Sequence, residues 1–199
     1  DGKIVVSGSV GSGSNEDFAV ARYNANGTLD TGFGTGGKVV TPVGSGHDRG
    51  RAGLVIQQDG KIVQGGYSFS GSVSSFALVR YTGVGALDPG FGTGGKVTTA
   101  IGGNSDAAYC MALQGDGKIV VAGYASNGSE FAVVRYLSNG SLDPSFDTDG
   151  IVTTGIYSNE DLAHGMTVQT DGKIVVVGQS WSGGNADFVG IGAGQTVVL

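Results

Sequence analysis

The sequence predicts an all-β fold made of repeated four-stranded antiparallel sheets. The segment Asp-Gly-Lys-Ile-Val occurs at Asp1, Asp59, Asp116 and Asp171, so the 199-residue chain repeats every 55 to 58 residues. Each full copy holds four short runs rich in Val, Ile, Phe, Tyr and Thr, separated by Gly, Asn, Asp and Ser, a pattern typical of strands and turns. No segment has a 3.6-residue apolar period long enough to predict a helix.

The elements come in the same order in each copy. In the first copy, the four expected strands lie within residues 1–6, 17–23, 37–41 and 54–57. The fourth copy starts in the same way but then departs, since Gly192 and Ala193 stand where the others have Arg-Tyr. We therefore expect one repeat domain, 1–199, with units 1–58, 59–115 and 116–170 and a partial unit 171–199.

The turns carry their own signal. Asp-Gly pairs at 59–60, 116–117 and 171–172 lie between two apolar runs. This dipeptide favours a two-residue hairpin connection of type I′, in which both residues have positive φ. We expect such a turn before each Lys-Ile-Val strand.

The second strand of each copy predicts how the sheets pack. In the first copy, one face carries Phe18, Val20 and Arg22, and the other face carries small apolar residues and a tyrosine. A strand that is apolar on both faces needs a neighbour above and below. Stacked four-stranded sheets repeated at this length predict a β-propeller, or an arc of propeller blades. A β-solenoid is the alternative, although its coils are usually shorter, about 20 to 30 residues.

The compound motif resembles a known family. Asp-Gly-Lys-Ile-Val-Val-x-Gly, Phe-Ala-x-x-Arg-Tyr, Gly-x-Leu-Asp-x-x-Phe-Gly and Gly-Lys-Val-Thr-Thr are similar to the delta-sixty repeat, a bacterial propeller-like family. The resemblance extends to about Phe188, and the tail 189–199 departs from it. It implies a secreted or cell-surface propeller without an assigned catalytic activity, and it brings no catalytic residues to transfer.

Composition excludes several classes of function. The net charge is −6 with a pI near 4.6, and only Arg49 and Arg51 are basic residues outside the repeat positions, so we expect no nucleic-acid partner. No segment is long and apolar enough to predict a membrane span. The single cysteine, Cys110, cannot form an internal disulfide and is expected to be a small buried residue. The chain starts within a motif and without Met, which we interpret as a processed or excised chain.

Most charged residues occur at repeat positions, which predicts a structural role. Each repeat arginine precedes the aspartate of the Leu-Asp element by eight residues and shares a strand face with Phe and Val. We expect buried or half-buried ion pairs that support the turn. The predicted pairs are Arg22 with Asp30, Arg80 with Asp88, and Arg135 with Asp143.

One loop has a composition that could hold calcium. Asp143, Asp147 and Asp149 supply carboxylates at short spacings, which calcium favours. The first two copies have glycine at the positions of Asp147 and Asp149, so a repeated metal site is excluded. Turn capping by aspartate is the simpler interpretation. We therefore expect no cofactor, with calcium as the one candidate.

Variation is concentrated in the loop that follows each Lys-Ile-Val strand. Phe69 and Trp181 occupy the same offset in two copies of this loop, among Ser, Gly and Asn. Aromatic side chains in such a polar loop are typical of an adaptable contact surface. The alternative is that both rings fold back onto their own blade.

The number of strands leaves two ways to close the ring. Residues 196–199 could supply the strand that is missing before the first copy, giving a four-bladed ring. Alternatively, two chains could complete each other as a seven-bladed ring or an open assembly. We expect self-association, or binding of another surface protein or a glycan.

These observations favour a non-catalytic extracellular or cell-surface module for binding or structural assembly. A lectin-like propeller that uses Phe69 and Trp181 is one alternative. A hydrolase with its site in the central channel is another. A fold alone does not choose among them.

Overall fold

A computed structural model describes residues 1–12, 15–103, 105–157, 160–182 and 185–193. This part of the chain contains strands, turns and one short 3₁₀ turn, Ser126–Gly128, and no α-helix. The strands are β1 (Ile4–Ser12), β2 (Asn15–Tyr23), β3 (Lys38–Thr41), β4 (Asp48–Ile56), β5 (Ile62–Ser70), β6 (Val73–Tyr81), β7 (Lys96–Thr99), β8 (Ala107–Leu113), β9 (Ile119–Ala125), β10 (Glu130–Tyr136), β11 (Ile151–Thr154), β12 (Asp161–Val168), β13 (Ile174–Ser182) and β14 (Asn185–Ala193).

The strands form four antiparallel sheets, which we call blades 1 to 4. Blade 1 is β1-β2-β3, blade 2 is β4-β5-β6-β7, blade 3 is β8-β9-β10-β11, and blade 4 is β12-β13-β14. Within each blade, every strand pairs in antiparallel fashion with the strand next to it in the chain. The prediction of an all-β propeller arc is confirmed.

The blades are out of phase with the sequence repeat. The first strand of blade 2, β4, lies in unit 1–58, while the other three strands of blade 2 follow Asp59. Each full unit therefore supplies three strands of one blade and the first strand of the next. In the described residues, two blades have four strands, blade 1 lacks a first strand, and blade 4 lacks a last one.

The predicted type I′ turns are wrong. In the connection between β4 and β5, Gly60 has φ +80°, whereas Asp59 is not among the residues with positive φ. Gly60 N–H donates to the carbonyl of Gln57 at 2.9 Å, and Gln57 N–H donates to Lys61 at 2.8 Å. This geometry is a three-residue connection that ends in a left-handed residue, so one glycine is enough.

The blades bury apolar side chains on both faces, as the second strand predicts. In each interface between blades, a phenylalanine of one blade packs against the next blade. These residues are Phe18, Phe76 and Phe131, and each is at most 1 % exposed. Phe18 clusters with Ile62, and Phe131 clusters with Ile174. Two of these interfaces also contain a side-chain hydrogen bond between blades. The Tyr81 hydroxyl donates to the Thr41 hydroxyl at 2.9 Å, and the Tyr136 hydroxyl donates to the Thr99 hydroxyl at 2.8 Å.

Buried aspartates fix the loops that join one blade to the next. Asp48, Asp106 and Asp161 stand at the start of the first strand of blades 2, 3 and 4 and are fully buried. Each accepts a hydrogen bond from the backbone N–H five residues earlier, at 2.6 to 2.7 Å. The loop N–H groups have no neighbouring strand to bond to, so these carboxylates supply the hydrogen-bond acceptors that they need.

The first strands of blades 2, 3 and 4 lie next to one another and line the inner side of the arc. All three have a bulge, at 49–53, 108–110 and 163–165. Bulges bend a strand and redirect its side chains. The neighbouring second strand approaches closely there, since a β-carbon at Gly123 would lie 1.9 Å from the carbonyl oxygen of Ala107.

Within the described residues, no strand of blade 4 makes an extended contact with blade 1. The predicted closing segment, 196–199, lies outside these residues. A helix of sufficient length and apolarity to cross a bilayer is also absent from the described part.

Candidate binding surfaces

Each of the first three units builds the same charged cluster at the end of its second strand. The lysine of Asp-Gly-Lys and the repeat arginine both reach the aspartate of the Leu-Asp element. The arginine Nε lies 2.7 to 2.9 Å from the aspartate Oδ2 in all three units. The members are Lys3, Arg22 and Asp30 in the first unit, Lys61, Arg80 and Asp88 in the second, and Lys118, Arg135 and Asp143 in the third.

The guanidinium of each arginine also joins neighbouring parts of the fold. Arg80 lies over the ring of Phe91, 4.6 Å from its centroid, and the other two arginines stack in the same way. Arg80 donates to the carbonyl of Ser138 in blade 3, and Arg22 donates to that of Gly83 in blade 2. The clusters therefore hold adjacent blades together, which is a structural role.

Hydrogen bonds keep these aspartates ionised. Burial opposes ionisation of Asp143, but the bonds from Ser145 and the Arg135 guanidinium outweigh it and lower the Asp143 pKa to about 2. The Lys3 ammonium, with Arg22, lowers the pKa of Asp30 despite burial. For Asp88, the backbone N–H of Gly90 is the largest cause of a lowered pKa. In each case the carboxylate is engaged by cationic side chains of the same unit.

The calcium candidates do not form a site. Asp143 is buried and engaged with Arg135 and Lys118, whereas Asp147 and Asp149 are exposed on the following turn. Asp149 accepts the N–H of Ile151 at 2.9 Å, which is ordinary turn capping. Among the described residues, no three His, Cys, Asp or Glu side chains are grouped to hold a metal ion. The three carboxylates therefore do not converge on one point in the described residues, and calcium in this loop stays a prediction.

Phe69 lies against its own blade. Its ring meets those of His47 and Tyr67 edge-on, at centroid distances of 6.0 and 5.9 Å, and its side chain is half-buried. The backbone is also fixed, because Phe69 N–H donates to His47 at 2.8 Å. This position matches the alternative in which the ring folds back.

Trp181 occupies the equivalent offset in blade 4 and is half-buried. Its indole Nε1 is shielded from solvent and has no hydrogen-bond partner in the described structure. Phe69 and Trp181 occupy equivalent positions of the repeat, but they lie on different blades and have different surroundings.

A row of aromatic rings on the inner side of the arc was not anticipated. The Tyr109 ring of β8 lies 6.2 Å from Tyr67, 5.8 Å from Tyr124 and 6.1 Å from His164, measured between centroids. The row joins blades 2, 3 and 4, and burial raises the pKa of Tyr124 to about 12. We call Tyr67, Tyr109, Tyr124 and His164 the inner aromatic row.

Sequence offsets do contain a signal for this row. Tyr67 and Tyr124 stand eight residues after the Asp of their Asp-Gly-Lys segments, and Tyr109 stands three residues after Asp106. His164 has the same offset from Asp161. The contact itself depends on the bulges, which no single repeat reveals.

Near this row, Arg49 pairs with Glu16 of blade 1 at 2.6 Å.

Comparison with known proteins gives a family and no function. A family model described as a domain of unknown function (DUF5122), a beta-propeller, matches residues 1–33, 57–91, 114–146 and 169–189. These segments cover more than half of the chain, and each begins next to an Asp-Gly-Lys segment. No curated protein matches the sequence.

Proposed function

For this chain, which belongs to the DUF5122 family of β-propellers, we propose a non-catalytic role as an extracellular or cell-surface module for binding or structural assembly. The observation that carries the proposal is the threefold Lys–Arg–Asp cluster. Its charges are engaged inside and between blades, in ion pairs with Nε to Oδ2 distances of 2.7 to 2.9 Å and in stacking over phenylalanine. Such groups stabilise a scaffold and are not free to bind a substrate.

The remaining polar chemistry also supports a role without catalysis. Burial raises the pKa of the Cys110 thiol to about 12, so the thiolate that a nucleophile requires is scarce at neutral pH. His47 is half-buried next to Phe69, and His164 packs on Tyr109. Hydrolysis at the centre of the ring, by contrast, needs a nucleophile and a base held within hydrogen-bond distance.

The placement outside the cell rests on the resemblance to the delta-sixty repeat, which is the finer family assignment in this proposal. Antibody labelling of intact producing cells tests it. Labelling equal to that of permeabilised cells supports a surface location, whereas labelling only after permeabilisation contradicts it.

A second candidate is carbohydrate binding, which the inner aromatic row favours. Tyrosine rings offer flat apolar faces together with hydroxyl groups, the combination that suits amphipathic ligands. Tyr109 and Tyr124 are half-buried and His164 is exposed, so part of each ring remains accessible. The predicted Trp181 contact belongs to the same hypothesis.

Two assays separate these functions. A panel of hydrolase substrates is expected to show no turnover, and turnover that Tyr109→Phe or His164→Ala abolishes would contradict the non-catalytic role. A glycan array then compares the parent chain with Tyr109→Ala and Trp181→Ala, with Tyr157→Ala as the control for an exposed tyrosine elsewhere. Glycan signal lost in Tyr109→Ala or Trp181→Ala and kept in Tyr157→Ala supports the carbohydrate-binding candidate.

A further inference from the structure

We infer that Arg51 and the inner aromatic row form a binding site for acidic carbohydrate, in which the Arg51 guanidinium donates to the carboxylate of a uronic acid unit. Arg51 belongs to blade 2 and Tyr109 to blade 3, and each of these blades has a neighbouring blade on both sides. The inference names the ligand class of the carbohydrate-binding candidate and rests on that candidate.

Arg51, Tyr109 and His164 occupy the same position of three neighbouring strands. Each stands three residues after the buried aspartate that opens the first strand of its blade. Each also lies in the bulge of that strand and has no partner residue on the second strand. Bulges redirect side chains and are common next to active sites. The three bulges therefore place three side chains that can donate hydrogen bonds on the inner side of the arc.

Arg51 supplies a positive charge that the fold itself does not use. Its side chain is exposed and takes part in no ion pair among the residues that the structure describes. By contrast, Arg49 pairs with Glu16 at 2.6 Å, and the Tyr67 hydroxyl is the largest cause of the raised Arg49 pKa. Arg51 can therefore meet an anionic group of a ligand without giving up an ion pair of the protein.

Arg51 lies near the centre of the aromatic row. Burial is the main cause that raises the pKa of Tyr109, and the charges of Arg51 and Arg49 oppose this rise, so both guanidinium groups are near the Tyr109 hydroxyl. The Tyr109 ring in turn lies 5.8 Å from the Tyr124 ring, and both side chains are half-buried. A charge, hydroxyl groups and apolar ring surface therefore occur together in one place.

The side of the row towards blade 4 carries a carboxylate. Glu160 directly precedes β12 and is exposed, and its charge contributes, after burial, to the raised pKa of Tyr109 and of Tyr124. A sugar acid presents a carboxylate, several hydroxyl donors and an apolar ring face. These three groups match the guanidinium of Arg51, the carboxylate of Glu160 and the tyrosine rings.

An acidic peptide is the competing ligand. A peptide commonly binds the edge of a sheet as an added strand, which requires an uninterrupted row of backbone N–H and carbonyl groups. The bulges at 49–53 and 108–110 interrupt this row in the first strands of blades 2 and 3. The inner side is therefore better suited to a ligand that side chains recognise, which favours the sugar acid.

Matched ligands and variants isolate the contact between the carboxylate and Arg51. Isothermal titration calorimetry compares trigalacturonic acid with its fully methyl-esterified form, which has the same rings without the charge, and with a hexaglutamate peptide. Arg51→Ala removes the guanidinium. Lys38→Ala is the control, because it removes an exposed positive charge from the outer strand of blade 1. Circular dichroism and a urea transition verify that each variant is folded.

We expect trigalacturonic acid to bind the parent chain and Lys38→Ala with the same affinity. Arg51→Ala should bind the acid about tenfold or more weakly, because a charge-assisted hydrogen bond is lost. The ester should bind the parent chain as weakly as the acid binds Arg51→Ala, and Arg51→Ala should not distinguish the two ligands. Added salt should weaken binding of the acid but not of the ester. Tyr109→Ala should weaken both, since both ligands contact the row.

Several results would overturn the inference. The parent chain could bind the acid and the ester equally, or Arg51→Ala could bind the acid as the parent does. An equal loss in Lys38→Ala would mean that net charge alone holds the acid. A hexaglutamate peptide that binds as tightly as trigalacturonic acid, and loses affinity in Arg51→Ala, would assign the site to an acidic peptide instead.

The carbohydrate-binding candidate fails separately. Neutral glycans or the ester that bind the parent chain and lose affinity in Tyr109→Ala, without any preference for the acid, overturn only the role of Arg51. No binding of any glycan overturns both the inference and the candidate. The non-catalytic role is decided by the substrate panel and is independent of both outcomes.

Discussion

Arg80 and Asp88 form the most buried ion pair of the repeated cluster, with Nε and Oδ2 2.9 Å apart and both side chains about nine-tenths buried. The pair closes the turn after β6, and the same guanidinium reaches Ser138 in blade 3. One side chain therefore stabilises a blade and also its contact with the next blade.

Removing this arginine should destabilise the protein strongly. We expect Arg80→Ala to lower the free energy of unfolding by about 3–5 kcal/mol, because buried Asp88 loses its arginine partner and Ser138 of blade 3 loses the guanidinium. Urea denaturation measures the change. Arg51→Ala, which removes an exposed arginine, is the control and should change stability by less than about 0.5 kcal/mol. Equal midpoints for the two variants would contradict the structural role of Arg80.

The aspartates make stability depend on acidic pH. Their pKa values are lower in the folded protein, to about 2 for Asp143, than the value of about 4 in an unfolded chain. The unfolded state therefore takes up protons first, so this contribution is complete above about pH 4 and is lost as the pH falls towards 2. Thermal melts from pH 6 to 2 should show this fall, and Asp143→Asn should flatten it. An Asp143→Asn melt that depends on pH as the parent does would exclude Asp143 as a cause.

The phenol between blades 2 and 3 should contribute a measurable hydrogen bond. Tyr136 is fully buried and donates to Thr99, so we expect Tyr136→Phe to cost about 1 kcal/mol, since Thr99 loses its partner. Tyr157→Phe removes an exposed hydroxyl and should be neutral. A double-mutant cycle with Thr99→Val measures the coupling, and a coupling of zero would mean that the bond contributes nothing.

Close approach of two strands makes one glycine irreplaceable. Gly123→Ala should destabilise by about 2 kcal/mol or more, because its β-carbon would collide with the carbonyl of Ala107. Gly115→Ala is the matched control, since nothing lies within 4 Å of a β-carbon there. Urea midpoints compare the two variants, and similar values would mean that β8 and β9 are further apart than described.

Sequence patterns predict the repeated cluster well because its spacing is local. Eight residues separate Arg80 from Asp88 across one turn, so the hairpin alone brings them together. The same reasoning gives the fold, because apolar residues on both faces of β2 and β6 require covering blades.

Features that depend on several units are not predictable from the pattern. The Asp-Gly turn type depends on the φ of Asp59, which the dipeptide does not determine. The inner aromatic row forms because bulges in β8 and β12 bring Tyr109 and His164 together across a blade interface. Asp143 serves an ion pair with Arg135, and spacing alone does not tell whether such an aspartate meets a cationic side chain or a metal ion.

The most direct test of the arc is to compare two equivalent phenylalanines, one covered and one free. At a concentration where the chain is monomeric, Phe76→Ala should lower the free energy of unfolding by about 3–5 kcal/mol, since blade 3 buries that ring completely. Phe188→Ala should leave it unchanged within about 0.5 kcal/mol, because that ring is 97 % exposed. Losses of similar size in both variants would mean that another part of the same chain covers blade 4, and would contradict the open arc.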